Sequence, residues 1–154
     1  MKENSPSSSI PRATLLEVSG CTCLRLRKVA RRLTQIYDQA LAPSGLTVTQ
    51  FGIIANLAGH GDLSIGDLAE HMGMDPTSLN RTLKPLQREN LIIEKANPND
   101  KRFRLISVTK TGQTTLADAI KLWKTAQQQL NSQLGVQAVS RLNQHLDQAF
   151  AHAV

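Results

Sequence analysis

The fold is decided by the stretch Asp75-Pro76-Thr77-Ser78-Leu79-Asn80-Arg81-Thr82-Leu83-Lys84-Pro85-Leu86-Gln87-Arg88. Asp75 is a suitable N-cap, because its carboxylate can accept hydrogen bonds from the free amides of a first helical turn. Pro76 falls at the first helical position, where the missing amide donor costs nothing. The leucines recur at intervals of four and three residues, which predicts a helix with one apolar stripe formed by Leu79, Leu83 and Leu86.

The other faces of this predicted helix carry short hydroxyls, an amide and cations, namely Thr77, Ser78, Asn80, Arg81 and Lys84. Side chains of this kind on the N-terminal half of an exposed helix suit the major groove of DNA, where they can reach base edges. An ordinary amphipathic helix with a solvated polar face is the alternative. Pro85 lies inside the helix and predicts a kink before Leu86.

A basic hairpin follows the helix. Two β-rich runs, 91–96 and 101–108, flank the turn-forming cluster Asn97-Pro98-Asn99-Asp100. The tip of the hairpin and the start of its second strand carry Lys101, Arg102 and Arg104. Strand alternation is expected to turn Phe103, Leu105 and Val108 at least partly toward a core.

A basic hairpin directly after a polar-faced helix is the pattern of a winged helix-turn-helix. The wing can lie along a phosphate backbone or reach into a minor groove. Asp100 precedes Arg102 by two residues, so we expect its carboxylate to brace the guanidinium. The sequence thus predicts five residues of the recognition helix and three of the wing as DNA contacts: Thr77, Ser78, Asn80, Arg81 and Lys84, with Lys101, Arg102 and Arg104.

The remaining chain is predicted to be helical, so the fold class is mainly α with a small β-wing. Ser64 and Asp67 resemble a capping box that opens a short helix closed by Gly73, the first helix of the helix-turn-helix. An earlier helix has an apolar seam, and two more follow Gly112. These three helices carry more apolar surface than a small winged-helix core needs, which predicts a dimer. A monomer with the helices folded back is the alternative.

Four segments result. Residues 1–20 form a polar N-terminal segment expected to be loosely ordered, and 21–45 contain the first helix, for dimerisation or an effector cleft. Residues 46–112 form the winged helix-turn-helix, and 113–154 hold the C-terminal dimerisation helices.

Charge supports a polyanionic partner. The 154 residues carry a formal net charge of +6, and residues 76–112 alone contain eight Lys or Arg against three Asp or Glu. No apolar run is long enough to span a membrane and no signal peptide is evident, so the cytoplasm is expected. No phosphate loop, zinc-protease motif or serine-hydrolase motif occurs, so we expect neither an enzyme nor a cofactor. An RNA-binding module is a remote alternative, since aromatic residues, which stack on unpaired bases, make up only 3% of the chain.

The wing carries a family resemblance. Asp100-Lys101-Arg102 followed by Val108-Thr109-Lys110-Thr111-Gly112 resembles the wing signature of the MarR family, and the similarity covers roughly residues 22 to 150. The family consists of dimeric winged-helix transcription regulators of bacteria and archaea. The resemblance implies a homodimer in which first and last helices interlock. Two recognition helices would then meet successive major grooves of a palindromic operator, with half-sites about ten base pairs apart.

Cations crowd the first helix, namely Arg25, Arg27, Lys28, Arg31 and Arg32. They are either a solvated face or an anion site for an effector. The resemblance implies small aromatic acids, phenols or acyl-coenzyme A thioesters as effectors, and a repressor that they release.

Cys21 and Cys23 offer a competing hypothesis. A structural disulfide is not expected in the cytosol, and the four histidines show no metal-ligand spacing with these cysteines, so no metal site is predicted. In the organic-hydroperoxide-sensing branch of the family, a reactive Cys near the start of the first helix is held by tyrosines. Cys23 and Tyr37 match two of those positions, whereas Arg27 and Val48 replace the other two tyrosines. The alternative is that both cysteines are small apolar fillers at the dimer interface. The operator, the regulated genes, the effector and the sign of regulation do not follow from the sequence.

Overall fold

A computed structural model of the chain describes residues 10–98, 100 and 102–152. The chain divides into two compact units, of which the first ends at Gln35 and the second begins at Ile36. Helix α2 (Thr22–Leu41) contributes residues to both. The described part of the first unit also contains helix α1 (Arg12–Ser19), inside the segment expected to be loosely ordered; the sequence does not predict this helix.

The second unit continues from the end of α2 through a short 3₁₀ turn, Ala42–Ser44. Its further elements are α3 (Val48–His60), β1 (Leu63–Ser64), α4 (Ile65–Met72), α5 (Pro76–Arg88), β2 (Ile92–Ala96), β3 (Arg104–Val108), α6 (Lys110–Leu134) and α7 (Val136–His152). This is a mainly α winged helix, as predicted.

Local capping explains where the helices before the wing begin. Thr47 and Gln50 form a capping box at α3. The Ser64 hydroxyl accepts from the Asp67 amide and donates to the Asp67 carboxylate at the start of α4. Gly73 then ends α4 in the left-handed conformation with φ 59°, which a residue with a side chain rarely adopts. The helix-turn-helix therefore has the predicted boundaries.

The three strands form one antiparallel sheet in the order β1-β3-β2, with Ile92 opposite Val108 and Ala96 opposite Arg104. Strand β1 has only two residues and pairs Leu63 with Ile106. The sequence does not predict this strand. Because β1 pairs with the edge of β3 that β2 leaves free, the β2–β3 hairpin is joined to the segment before α4 along one edge.

The core of the second unit is aliphatic. Its fully buried side chains are Leu41, Ile53, Ile54, Leu68, Leu79, Leu83, Leu86, Ile92 and Ile106. Phe51 and Trp123 stack at the edge of this core with ring centroids 6.2 Å apart. The expectation that Phe103 faces the core is wrong, because its side chain is 58% exposed. In β3 the residues that face the core are Ile106 and Val108. Phe103 lies before the first residue of this strand and outside the core.

Candidate nucleic-acid interface

Helix α5 is held by its apolar stripe and its cap. Leu79, Leu83 and Leu86 are at most 2% exposed. Asp75 accepts a hydrogen bond from the Ser78 amide at 2.9 Å. Hydrogen bonds from the side chain and the amide of Ser78 keep the pKa of the Asp75 carboxyl below its usual range. Ser78 is therefore engaged at the cap, and the buried leucines together with this cap hold the helix in place.

The opposite face of α5 is polar and open to solvent. Thr77, Asn80, Arg81 and Lys84 are exposed, as the sequence predicts, while Ser78 is half-buried. Arg81 and Lys84 form no ion pair with any residue that the structure describes. Their positive charge is therefore available to a polyanion.

One further cation belongs to this face. Arg88 lies seven residues after Arg81 and is exposed, so the row 81, 84, 88 follows one side of α5 over two helical turns. Together with Pro85 and Gln87 these cations line an open recess of about 530 Å³. Arg88 is absent from the DNA contacts predicted from sequence, although its helical spacing from Arg81 and Lys84 would have placed it on the same face.

Helix α5 continues past Pro85 to Arg88, since Glu89 N donates to the Pro85 carbonyl at 3.0 Å.

The wing tip is organised by one carboxylate. Asp100 accepts from Arg102 Nε at 3.0 Å, from Arg102 Nη2 at 2.7 Å and from the Arg102 amide at 3.0 Å. These bonds lower the pKa of Asp100 and raise that of Arg102. The Arg102 side chain is nonetheless 85% exposed. The contact expected between these two residues is present, and it leaves most of the guanidinium to solvent. Lys101, also predicted here, lies outside the described residues.

Two wing cations are neutralised within the chain. Arg104 Nε lies 2.8 Å from Glu94 on the neighbouring strand, and Lys95 Nζ lies 2.7 Å from Asp62. The sequence does not foresee either pair, because the partners lie 10 and 33 positions away in the chain. Arg104 is still 55% exposed, so it can approach a phosphate, although the Glu94 carboxylate offsets part of its positive charge.

The root of the wing converges on Asp62, at the start of β1. The Ser107 hydroxyl donates to its carboxylate, and Lys95 forms the ion pair just described. Both hydrogen bonds lower the pKa of Asp62, with Lys95 having the larger effect. One side chain thereby links the segment before β1 to both β2 and β3.

The second half of the wing signature, from Thr109 to Gly112, joins the hairpin to the start of α6. Thr109 Oγ1 donates to the Asn90 carbonyl at 2.7 Å and accepts from the Gly112 amide at 3.0 Å as the N-cap of α6. A β-carbon on Gly112 would overlap the carbonyl oxygen of Leu91 and lie 3.1 Å from Cγ1 of Val108. The Thr-x-x-Gly spacing thus has a steric reason: only glycine lets α6 start this close to β2.

The effector candidates of the first unit lie on or next to α2. Cys21 and Cys23 are both exposed free cysteines. Arg27 and Arg31, with Ala30, Thr34 and Gln35, line an open recess of about 470 Å³ on one face of the helix. None of the α2 cations forms an ion pair within the described part of the chain, so the recess is basic.

Tyr37, the remaining effector candidate, belongs to the second unit. Its side chain is 9% exposed, and its hydroxyl donates to Gln127 Oε1 at 2.6 Å. Gln127 in turn donates to Asn131 at 3.2 Å. Burial raises the pKa of the Tyr37 hydroxyl. The hydroxyl is therefore already used in a network between α2 and α6.

Among the residues that the structure describes, no group of three or more His, Cys, Asp or Glu side chains is arranged to hold a metal ion. None of the helices in this part of the chain is long and apolar enough to cross a membrane.

Comparison with known proteins agrees with this geometry. A model of the MarR family matches residues 44–102, from the end of the 3₁₀ turn to the wing tip. The transcriptional regulator MosR of M. tuberculosis, solved in complex with DNA, is 35% identical, with a TM-score of 0.73. That alignment covers 84% of this chain and 95% of MosR.

Two curated relatives come from Bacillus subtilis. The HTH-type transcriptional repressor MdtR is 27% identical over 89 residues, which are 58% of this chain and 57% of MdtR. The organic hydroperoxide resistance transcriptional regulator is 29% identical over 90 residues, 58% of this chain and 61% of that protein. The chain therefore spans somewhat more than half the length of these two relatives. All three are transcriptional regulators and not enzymes.

Proposed function

The chain belongs to the MarR family of transcriptional regulators, and we propose that it acts as a homodimer that binds a palindromic site on double-stranded DNA. Residues 46–112 would bind DNA, while 21–45 and 113–154 would form the dimer. The observation that carries this proposal is the two-faced α5: its leucines are buried, and its free cations and short polar side chains are exposed on the other side.

In the proposed complex the N-terminal half of α5 enters the major groove. Thr77 and Asn80 are short enough to read base edges, and Arg81 can grip a guanine with two hydrogen bonds. Lys84 and Arg88 continue the row toward the adjacent phosphates. Arg102, aimed by Asp100, binds the backbone or the minor groove beside it, together with Lys101 and Arg104. MosR, the relative solved in complex with DNA, supports a duplex as the partner.

Exposed apolar side chains support the dimer. In the first unit they are Leu15, Leu16, Val18, Leu24, Leu26 and Val29. In the second unit they are Leu134, Val136, Leu142, Leu146 and Phe150. A monomer that left these helical stripes in water would forgo the free energy of burying them. A second copy of the chain offers the same stripes under two-fold symmetry, which also accounts for a palindromic operator.

Arginine 81 provides the test of this function. The measurement is fluorescence anisotropy with a labelled duplex from upstream of the gene and with a random duplex, both at one fixed salt concentration. Arg81→Ala should lose about 1–3 kcal/mol of discrimination between the two duplexes. Lys124→Ala is the matched control, since it removes an exposed cation of α6 that forms no ion pair with any described residue. Equal losses on both duplexes would show that Arg81 touches only phosphate.

We further propose that a small anionic effector, an aromatic acid, a phenol or an acyl thioester, releases the protein from DNA as a repressor. The basic recess at Arg27 and Arg31 supports this class, because a carboxylate or phosphate would meet unpaired guanidinium groups there. The curated relative MdtR is named a repressor, which supports the sign of regulation.

A redox switch at Cys23 is the second candidate, favoured by the exposure of the thiol and by the hydroperoxide-resistance relative. The Tyr37 hydroxyl, bonded to Gln127, would have to leave that partner to serve such a site. Anisotropy is compared between reduced protein and protein treated with stoichiometric organic hydroperoxide. The switch would be established if oxidation removes DNA binding and dithiothreitol restores it. The Cys23→Ser protein should then keep its DNA binding after oxidation, whereas the Cys21→Ser protein should lose it. Binding that survives oxidation would exclude it and leave the anionic effectors.

A further inference from the structure

Two histidines meet at the junction of α3 and α4. His60 is the last residue of α3, and His71 lies in the last turn of α4. Their rings pack edge to face, with centroids 4.4 Å apart, and both side chains are exposed. They lie eleven positions apart in the chain, a spacing that suggests no ligand pair by itself. The fold, and not the local sequence, brings the two imidazoles together.

The hydrogen bonds of the two rings leave lone pairs available. His60 Nδ1 lies 3.1 Å from the Asn56 carbonyl oxygen. Because a carbonyl oxygen only accepts, Nδ1 must carry the proton in this bond, and Nε2 of neutral His60 then has a free lone pair. An imidazole that donates one N–H to a backbone carbonyl is the usual orientation of a metal-binding histidine. The imidazole of His71 makes no hydrogen bond within the described part of the chain.

We propose that His60 and His71 form a binding site for a divalent transition metal ion of the class that prefers imidazole, namely Cu²⁺, Ni²⁺ or Zn²⁺. Metal–nitrogen bonds of about 2.0–2.1 Å require two ligand nitrogens roughly 3 Å apart. Rings with centroids 4.4 Å apart can meet that requirement by rotating about their side-chain bonds. Water completes the coordination, since both rings face solvent.

The position of this pair gives the ion a structural effect. Helix α4 is the first helix of the helix-turn-helix, and the Gly73 turn joins it directly to α5. A metal ion that bridges α3 and α4 binds the folded state more tightly than the unfolded chain, in which the two rings are not held together, so it stabilises that arrangement by linkage. This inference does not depend on DNA binding and is tested without DNA.

The test uses the full chain carrying Cys21→Ser and Cys23→Ser, which removes thiolate ligands, in a buffer without chelators. Ni²⁺ binding is measured by calorimetry, and Cu²⁺ coordination by electron paramagnetic resonance. We expect one Ni²⁺ per chain and a Cu²⁺ spectrum with two imidazole nitrogens. His60→Gln and His71→Gln should each lose more than about tenfold in affinity, because even outer-shell substitutions cost roughly 10–100-fold. Each should also leave one imidazole nitrogen in the spectrum.

His152 supplies a matched control. Its Nδ1 lies 2.7 Å from the Gln148 carbonyl, as His60 does with Asn56, and it has no second imidazole partner in the described part of the chain. His152→Gln should therefore bind metal like the parent. Equal affinity in all three variants would overturn the proposal and show that the two rings only pack against each other. Far-UV circular dichroism of each variant verifies that the fold is retained, which the exposure of all three side chains leads us to expect.

Discussion

Replacing Gly112 by Ala tests how the wing is joined to the body of the second unit. The new β-carbon would overlap the Leu91 carbonyl oxygen and lie 3.0 Å from the carbonyl carbon, so the backbone itself must move. Overpacking costs about 1–3 kcal/mol. We expect a cost near the upper end, about 3 kcal/mol, because the clash is with backbone atoms, which cannot move aside by a change of rotamer. The higher helix propensity of Ala returns about 1 kcal/mol. We expect a net loss of about 2 kcal/mol in the free energy of unfolding, or roughly 4–8 °C in Tm for a chain of this size.

The assay is urea unfolding followed by circular dichroism at one fixed protein concentration, because the stability of the proposed dimer would depend on that concentration. Gly59→Ala is the matched control: it lies in α3, and a β-carbon there meets nothing within 4 Å. That variant should equal the wild type or gain up to about 1 kcal/mol. A Gly112→Ala protein as stable as the wild type would refute the steric reason given for the Thr-x-x-Gly signature.

Three further predictions concern the wing and the α2–α6 network. Arg102→Ala should weaken binding to specific and random duplexes alike and lower the slope of log K against log salt by about one unit; an unchanged slope in a folded variant would remove Arg102 from the interface. Tyr37→Phe should cost about 1 kcal/mol in urea unfolding, because it leaves the half-buried Gln127 side-chain oxygen without its donor. Gln127→Leu in the same background should recover part of that loss if the cost comes from desolvation of this oxygen. The Asp62 carboxyl has a folded pKa below the usual 3.8. Its contribution to stability is therefore complete above pH 3.8 and is lost as the pH falls through the lower, folded value. Asp62→Asn should accordingly be less stable than the wild type at neutral pH, with a difference that shrinks in acid; a difference independent of pH would contradict the role given to the ionised carboxylate.

Features that are local in sequence could be predicted. Asp75 and Pro76 mark the start of α5, because capping and proline geometry act within one turn of helix. The leucine spacing identifies the buried side of that helix, and the Asn-Pro cluster marks the hairpin. The contact between Asp100 and Arg102 joins residues two positions apart, so it too is local.

Features that depend on tertiary contacts could not be predicted. Strand β1 has two residues and exists because β3 offers it a free edge. Ser107 reaches Asp62 across 45 positions, and His60 meets His71 only once α3 and α4 have packed. Strand alternation allows two phases, and Phe103 is exposed because the position of the core, not the sequence pattern, chooses between them.

The central claim is that α5 and the wing bind duplex DNA. It is tested most directly by titrating one labelled DNA sequence from upstream of the gene, as duplex and as single strand, over a series of salt concentrations. The account predicts a marked preference for the duplex and a steep linear decrease of log K with log salt, as expected when several phosphates are neutralised. Equal or tighter binding of the single strand, or an affinity independent of salt, would contradict it.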